Sequence, residues 1–91
     1  MEQFLELQRH SLTGEQLRAA RALLRMEQST LAAAAGVSVE TIKRLEAMEG
    51  PVRATRVDTL DAVIAALERA GVEFIHADNS GPGVRLRKAR Q

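Results

Sequence analysis

The chain has 91 residues, 45% of them hydrophobic and 27% charged, and a formal net charge of +1. This size and composition indicate one small globular domain, and a near-neutral charge gives no bulk-charge argument for nucleic acid binding. The absence of cysteine excludes a disulfide framework, a thiolate zinc site and a cysteine nucleophile, and fits a reducing cytoplasm. The longest apolar run, Leu31 to Val37, is far too short for a membrane span, and the acidic start does not resemble a signal peptide.

The N-terminal part of the chain predicts an arm and then a helix. Residues 1–12 are expected to form an N-terminal arm or a short helix, because the first ten include Phe4, Leu5 and Leu7. Thr13 followed three residues later by Gln16 is a capping-box signature, so a first helix should run from Gly14 to about Met26. Its apolar face has the three-to-four spacing of a half-buried helix and consists of Leu17, Ala20 and Leu24, supported by Leu23.

Two closely spaced helices should follow the first one. The second helix is predicted over Gln28 to Ala35 and ends at Gly36, a residue able to take the left-handed conformation that closes a helix. Ser38 is a suitable N-cap for a third helix, which should run from Val39 to about Met48. The apolar residues that face inward from this third helix are Ile42 and Leu45.

The rest of the chain predicts a fourth helix and a hairpin. Thr55 with Asp58 is another capping signature, and the helix that follows should stop at Gly71. The residues on its apolar stripe are Val57, Leu60, Ile64 and Leu67, with Val63 beside them. Beyond the glycine the pattern alternates, which predicts two short strands, Val72 to His76 and Val84 to Arg87, joined by a turn-rich segment.

Small residues between the second and third helices indicate a helix-turn-helix. Two helices joined by about three residues must cross steeply and closely, so the side chains at the crossing have to be small and the turn needs a residue that tolerates positive φ. Ala32 and Gly36 stand at those positions. An ordinary helical hairpin without a partner has the same pattern, so the geometry alone leaves both interpretations open.

The stretch from Thr13 to Glu46 resembles the helix-turn-helix of the XRE-type, phage-repressor and Cro family, and Arg56 to Phe74 resembles the family's next helix. The residues that fall at the family spacing are Gln28, Leu31, Ala32, Gly36, Val37, Ser38, Ile42, Leu45 and Glu46. The resemblance implies a mainly α fold. A four-helix, lambda-repressor-like DNA-binding domain would occupy residues 13–71, and the β-hairpin predicted from the alternating pattern would occupy residues 72–91 together with the basic tail.

The family also implies a role for each matching position. The second helix would cross the DNA backbone, with Gln28, Ser29 and neighbouring main-chain amides holding a phosphate. The third helix would enter the major groove. The other expected DNA-binding residues are Ser38, Val39, Glu40, Thr41, Lys43, Arg44, Arg53 and Arg56. Arg21 and Glu46 match positions that form a buried ion pair in some members, with a surface placement of both as the alternative.

Several of these residues allow a second interpretation. Arg44 could bind guanine, or it could pair with Glu40 four residues earlier. Glu40 could accept from a cytosine amino group, or it could act as a counter-ion that positions Arg44. Val39 departs from members with a polar residue and indicates contact with a thymine methyl group or no readout at all. Glu27 departs from the serine or threonine common at that N-cap. The link residues Arg53 and Arg56 could reach phosphate or remain solvated.

The predicted hairpin indicates a homodimer. A lone two-stranded hairpin is marginal in water, and its unpaired edges could pair with the same edge of a second copy while one apolar face covers the fourth helix. The residues assigned to dimerisation are Val72, Phe74, Ile75, Val84 and Leu86. A monomer whose hairpin caps its own core is the alternative. The basic tail could add electrostatic affinity for DNA or simply be solvated.

The sequence therefore predicts a transcriptional regulator that binds double-stranded DNA, most simply a cytoplasmic, dimeric repressor on an inverted repeat, with no membrane, cofactor or metal. His10 and His76 are isolated, so no metal site is expected. No nucleophile–base set or carboxylate pair has a recognisable spacing, which disfavours an enzyme. Two alternatives remain. One is an antitoxin-like protein that autoregulates its promoter and neutralises a partner protein, and the other is an interaction module that does not bind DNA.

Overall fold

A computed structural model describes residues 11–53 and 56–88. These residues form four helices, α1 (Gly14–Leu24), α2 (Gln28–Ala35), α3 (Val39–Ala47) and α4 (Val57–Ala70), followed by strands β1 (Val72–Ile75) and β2 (Gly83–Leu86). The predicted fold class, mainly α with a C-terminal hairpin, is confirmed. Residues 1–10 of the arm or short helix expected over residues 1–12 lie outside the described residues, as do the predicted cap Thr55 and residues 89–91 of the basic tail.

The helix boundaries follow mostly from local capping. At α1, the Thr13 hydroxyl accepts from the Gln16 amide and the Gln16 side chain accepts from the Thr13 amide, so the predicted capping box is present. This helix ends earlier than expected because Arg25 takes the left-handed conformation, with φ of 53°. The α4 N-cap is Arg56, whose side chain makes no capping hydrogen bond.

The hairpin is antiparallel, with Val72 opposite Leu86 and Phe74 opposite Val84. Both strands differ from the predicted bounds by about one residue. The hairpin packs against α1 as well as α4, rather than on the fourth helix alone. Its turn end is held by the Gln16 side chain, which donates to the carbonyl oxygens of Ile75 and Gly83.

One apolar core joins the helices and the hairpin. Leu17, Ala20, Ile42, Leu45, Leu60, Val63, Ile64 and Leu67 are buried as the helical spacing predicted, and they are joined by Leu12, Leu31, Ala32, Val52, Ala66 and Val72. Two residues assigned to apolar stripes are instead exposed: Leu23 to 41% and Val57 to 52%. Both were wrongly expected to face inward. Val57 is the first residue of its helix, where the preceding turn that would cover it is missing.

Candidate nucleic-acid interface

The turn between α2 and α3 has the predicted conformation. Gly36 adopts a left-handed φ of 71°, and its amide and that of Val37 close α2 by donating to carbonyl oxygens of the last turn. Ala32 is 2% exposed. Ser38 then caps α3, its hydroxyl accepting from the Thr41 amide at 3.1 Å. A short, closed turn of this kind fixes the direction in which α3 leaves the crossing.

One face of α3 is anchored in the core. Ile42 and Leu45 are 1% and 0% exposed, and Glu46 is 3% exposed. These three residues recur at the three-to-four spacing of a helix face, so the opposite face of α3, with Glu40, Lys43 and Arg44, is turned away from the core.

Glu46 forms the ion pair that was expected with Arg21. Its two carboxylate oxygens accept from Nε and Nη2 of Arg21 at 2.7 and 2.9 Å, a bidentate arrangement. The side chain of Gln28 donates to the same carboxylate at 3.0 Å, and Arg21 Nη1 donates to the Met26 carbonyl at 2.8 Å. The side-chain hydrogen bonds to Glu46 raise the pKa of Arg21 above its ordinary value. The pair ties α1, α2 and α3 together behind the exposed face of α3.

The C-terminal end of α3 rests on the first turn of α1. A side chain at Gly14 would lie 2.8 Å from the Leu45 carbonyl oxygen and would also meet that of Met48. Arg18 donates a hydrogen bond to the Glu46 carbonyl. Helix carbonyls at this end lack partners within the helix, and a basic side chain satisfies one of them. The third helix is therefore fixed at both its N-terminal turn and its C-terminal end.

The outward face of α3 is polar. Glu40, Lys43 and Arg44 are exposed, and Thr41 is partly exposed beside them. Glu40 lies 3.8 Å from Lys43, three residues later, in an ion pair exposed at both ends. Exposed pairs of this type contribute only about 0–1 kcal/mol, so DNA could compete for both side chains. Val39 is partly buried and packs against the core, which limits what it can present to a base.

The N-terminus of α2 lies beside two arginines. Glu27 occupies the N-cap and makes no capping hydrogen bond with its side chain, so it leaves the first amides of α2 uncapped. An open hollow of about 400 Å³ lies there, and Arg21, Arg25 and Gln28 contribute to its lining. Ser29 is exposed in this first turn. Since the Gln28 side chain is turned toward Glu46, main-chain amides are the better donors to an anion here.

The two basic residues of the α3–α4 link differ in their surroundings. Arg53 is exposed, and its amide donates to the Met48 sulfur at 3.4 Å. Arg56 is also exposed, but its guanidinium donates two hydrogen bonds of 3.2 Å to Asp58. The hydrogen bonds from Arg56 hold the pKa of the Asp58 carboxyl below its ordinary value. Arg56 would have to leave Asp58 in order to bind a phosphate.

The residues assigned to dimerisation do not share one environment. Val72 is 1% exposed and belongs to the chain's own core, so its side chain cannot take the role expected for it. Phe74 and Val84 are partly buried against that core. Only Ile75 and Leu86 are clearly exposed, to 37% and 53%. Because the inner face of the hairpin packs on the protein's own core, only its exposed residues are accessible to a second copy.

Three parts of this arrangement were not predicted from the sequence. The bonds from Gln16 to the hairpin, the contact of Gly14 with α3 and the bond from Arg18 to Glu46 all join residues far apart in the chain. A glycine inside an otherwise strong capping box was the one signal that could have pointed to a close approach.

Other kinds of site find little support. In the part of the chain that the structure describes, no group of three or more acidic or histidine side chains could hold a metal ion. Within residues 11–53 and 56–88, no helix combines the length and hydropathy that a membrane span requires.

Comparison with known families agrees with the geometry. The helix-turn-helix family model HTH_3 matches residues 17–74, well over half of the chain and the whole of α2, α3 and α4. No curated protein is significantly similar to the chain in sequence. The matched region contains the closed turn, the buried ion pair and the polar outward face of α3. The chain therefore belongs to the XRE-type, Cro/C1-like helix-turn-helix family of DNA-binding regulators.

Proposed function

We propose that the protein is a cytoplasmic transcriptional repressor that binds an inverted-repeat operator as a homodimer and reads bases with α3. The observation that carries this proposal is the division of α3 into two faces. Ile42, Leu45 and Glu46 are buried, whereas Glu40, Lys43 and Arg44 are exposed on a helix that Ser38 caps at its N-terminus and Arg18 of α1 holds at its C-terminal end. A rigid helix with an exposed polar face is what insertion into the major groove requires.

Within that face, Arg44 is the residue we assign to base recognition. An arginine can bind O6 and N7 of guanine together, and such a bidentate contact gives about 1–3 kcal/mol of discrimination against a wrong base. The acid Glu40 lies one turn earlier, with its carboxylate 3.8 Å from the ammonium group of Lys43. We assign three residues to base-edge contacts: Glu40 as a hydrogen-bond acceptor, Thr41 through its hydroxyl group, and Val39 through apolar contact with a thymine methyl group. Lys43 is assigned to phosphate.

Backbone contacts would come from two neighbouring regions. The uncapped amides at the start of α2, together with Gln28 and Ser29, would hold one phosphate. Arg53 and Arg56 in the link after α3 would reach another, and Ser38 would approach the backbone while its hydroxyl caps α3. Such contacts set the register of the protein on DNA and carry no sequence information themselves.

The homodimer is proposed through the outer edge of β2. The sheet has two strands among the described residues, so both outer edges lack a strand neighbour. Leu86 on β2 is 53% exposed, and pairing β2 with the same strand of a second copy would cover it and supply the missing backbone hydrogen bonds. Phe74 and Val84 would support that strand from the inside, and Ile75 would lie at the rim.

Sedimentation and DNA titration of one pair of variants test the dimer. Leu86→Lys should convert the protein to a monomer, which binds a single half-site as before but loses most of its affinity for the paired site. Val57→Lys is the matched control, because Val57 is 52% exposed on a different element. It should remain dimeric. A monomeric wild type at micromolar concentration would contradict the dimer.

DNA titrations at several salt concentrations, together with co-purification, distinguish a repressor from an interaction module and from an antitoxin-like protein. A regulator that binds through basic side chains must lose affinity as salt rises. Absence of salt-dependent DNA binding would indicate an interaction module. Co-purification with one companion protein in a fixed stoichiometry, in amounts that change when DNA is bound, would indicate the antitoxin-like protein.

A further inference from the structure

Gln16 lies at the junction of α1 and the hairpin, where both the oxygen and the nitrogen of its side-chain amide form hydrogen bonds. It is 4% exposed. Its Oε1 accepts from the amide and hydroxyl of Thr13 at 2.9 and 3.3 Å. Its Nε2 donates to the carbonyl oxygens of Gly83 and Ile75 at 2.8 and 3.2 Å. Because carbonyl oxygens only accept, the orientation of the amide is determined by its partners.

The two carbonyls that Gln16 binds belong to a cross-strand pair. Ile75 and Gly83 face each other at the turn end of the hairpin, so one side chain holds both strands. At the other end of the sheet, the Arg87 amide donates to the Gly71 carbonyl at 2.7 Å and joins the end of β2 to the end of α4. The hairpin is thus tied to α1 at one end and to α4 at the other.

The same turn of α1 that carries Gln16 also holds the end of α3. The Gly14 amide donates to the Gly50 carbonyl at 3.3 Å, and the Glu15 carboxylate accepts from the Gly50 amide at 3.2 Å. The backbone of Gly14 lies against the last carbonyls of α3, and Arg18 binds the Glu46 carbonyl one turn further along. The N-terminal end of α1 therefore contacts both the hairpin, through Gln16, and the C-terminal end of α3, through Gly14 and Arg18.

From this arrangement we infer that Gln16 is a positioning residue that fixes the angle between the hairpin and α3, and thereby the half-site spacing that the dimer accepts. The inference rests on the dimer proposed above. If two hairpins form the two-fold interface, each α3 is oriented relative to the axis only through the hairpin's attachment to its own domain. Without the hydrogen bonds from Gln16, the angle between the hairpin and α3 would vary over a wider range, while each α3 would keep its own base contacts.

DNA geometry makes this angle measurable. Dimeric helix-turn-helix proteins bind half-sites about one helical turn, or 10–10.5 base pairs, apart. One inserted base pair rotates one half-site by about a tenth of a turn relative to the other, so a rigid dimer cannot satisfy both. Loss of one bidentate base contact corresponds to roughly 5- to 150-fold in affinity. We expect the wild type to discriminate between adjacent spacings within this range.

Two substitutions remove the bonds to the hairpin in different ways. Gln16→Glu keeps a capping-box acceptor for Thr13, since glutamate is equally used at that position, but it has no donor for the two carbonyls. Gln16→Met keeps the length of the side chain and removes all four of its hydrogen bonds. It replaces Gln16→Glu in the test if the buried carboxylate of that variant prevents folding. The control is Thr13→Ala, which removes the capping hydroxyl and destabilises α1 but leaves the bonds from Nε2 to the hairpin.

The experiment measures affinity for a series of duplexes with identical half-sites, first selected by the wild type, at spacings one base pair apart. We expect the Gln16 variants to stay dimeric, to keep the half-site base preference and to flatten the ratio between adjacent spacings toward one. Thr13→Ala should keep the wild-type profile. Folded, dimeric Gln16 variants with the wild-type profile would overturn the inference alone, as would a flattened profile in Thr13→Ala. A wild type that binds half-sites without any spacing preference would overturn the dimer and this inference together, and leave base reading by α3 intact.

Discussion

The Arg21–Glu46 ion pair should contribute asymmetrically to stability, because its two members differ in burial. Glu46 is 3% exposed and Arg21 is 21% exposed. Arg21→Met would leave a buried carboxylate for which Gln28 is the remaining side-chain donor among the residues that the structure describes. Removing one partner of a buried ion pair costs about 3–5 kcal/mol. It would also remove the bond from Arg21 to the Met26 carbonyl at the end of α1.

Glu46→Gln should cost less. The guanidinium that remains is partly in water, so the loss is closer to that of its charge-assisted hydrogen bonds, about 1.5–3 kcal/mol. Total stability at about 0.05–0.15 kcal/mol per residue amounts to roughly 5–14 kcal/mol for a chain of this length. Arg21→Met should therefore remove a large part of it. The double variant Arg21→Met/Glu46→Leu leaves no buried charge and should recover part of the loss.

Urea unfolding followed by helical circular dichroism measures these differences, since the chain has no tryptophan or tyrosine for fluorescence. The shift of midpoint at constant slope gives the change in the free energy of unfolding. A larger loss for Glu46→Gln than for Arg21→Met would refute the burial argument. So would a double variant whose loss equals the sum of the single losses.

Three further substitutions follow from local geometry, each measured by urea midpoint. Arg25→Gly should stabilise the protein by about 0.5–1 kcal/mol, because it relieves a left-handed residue; Arg25→Ala should give no gain. Glu27→Ser should add about 1 kcal/mol through an N-cap bond that Glu27→Gln cannot make. The hydrogen bonds from Arg56 lower the pKa of Asp58 in the folded protein, so ionised Asp58 stabilises the fold at pH values above its unfolded-state pKa, and this stabilisation is lost as the pH falls through its folded-state pKa. The midpoint of Asp58→Asn should therefore fall less steeply than that of the wild type as pH is lowered below about 4; parallel curves would contradict the assignment.

Local signals predicted most of the fold. The capping box at Thr13, the cap at Ser38 and the left-handed Gly36 act within a few residues of chain, so the sequence contains all that they need. The buried residues in the middle of α1, α3 and α4 were also predicted correctly. Errors fell at helix ends, as at Val57, where no preceding turn exists to cover the side chain.

Tertiary contacts were predictable only where a family pattern named them. The resemblance suggested the Arg21–Glu46 pair, although 25 residues separate its members. Nothing in the sequence indicated that Gln16 would donate to the hairpin, 59 and 67 residues away. The alternating pattern of β1 and β2 also could not show whether an apolar residue packs on the protein's own core or on a second copy, because an apolar hairpin face can do either.

The central claim is that α3 reads bases and that Arg44 specifies one of them. Selection of bound sequences from a random DNA library, run in parallel with wild type, Arg44→Ala and Lys43→Ala, tests it most directly. Arg44→Ala should lose the preference at one base position of each half-site and keep its affinity for the backbone, whereas Lys43→Ala should weaken binding to all sequences alike and lower the salt slope by about 1. Recovery of the same sequences with equal enrichment by wild type and Arg44→Ala would contradict the claim.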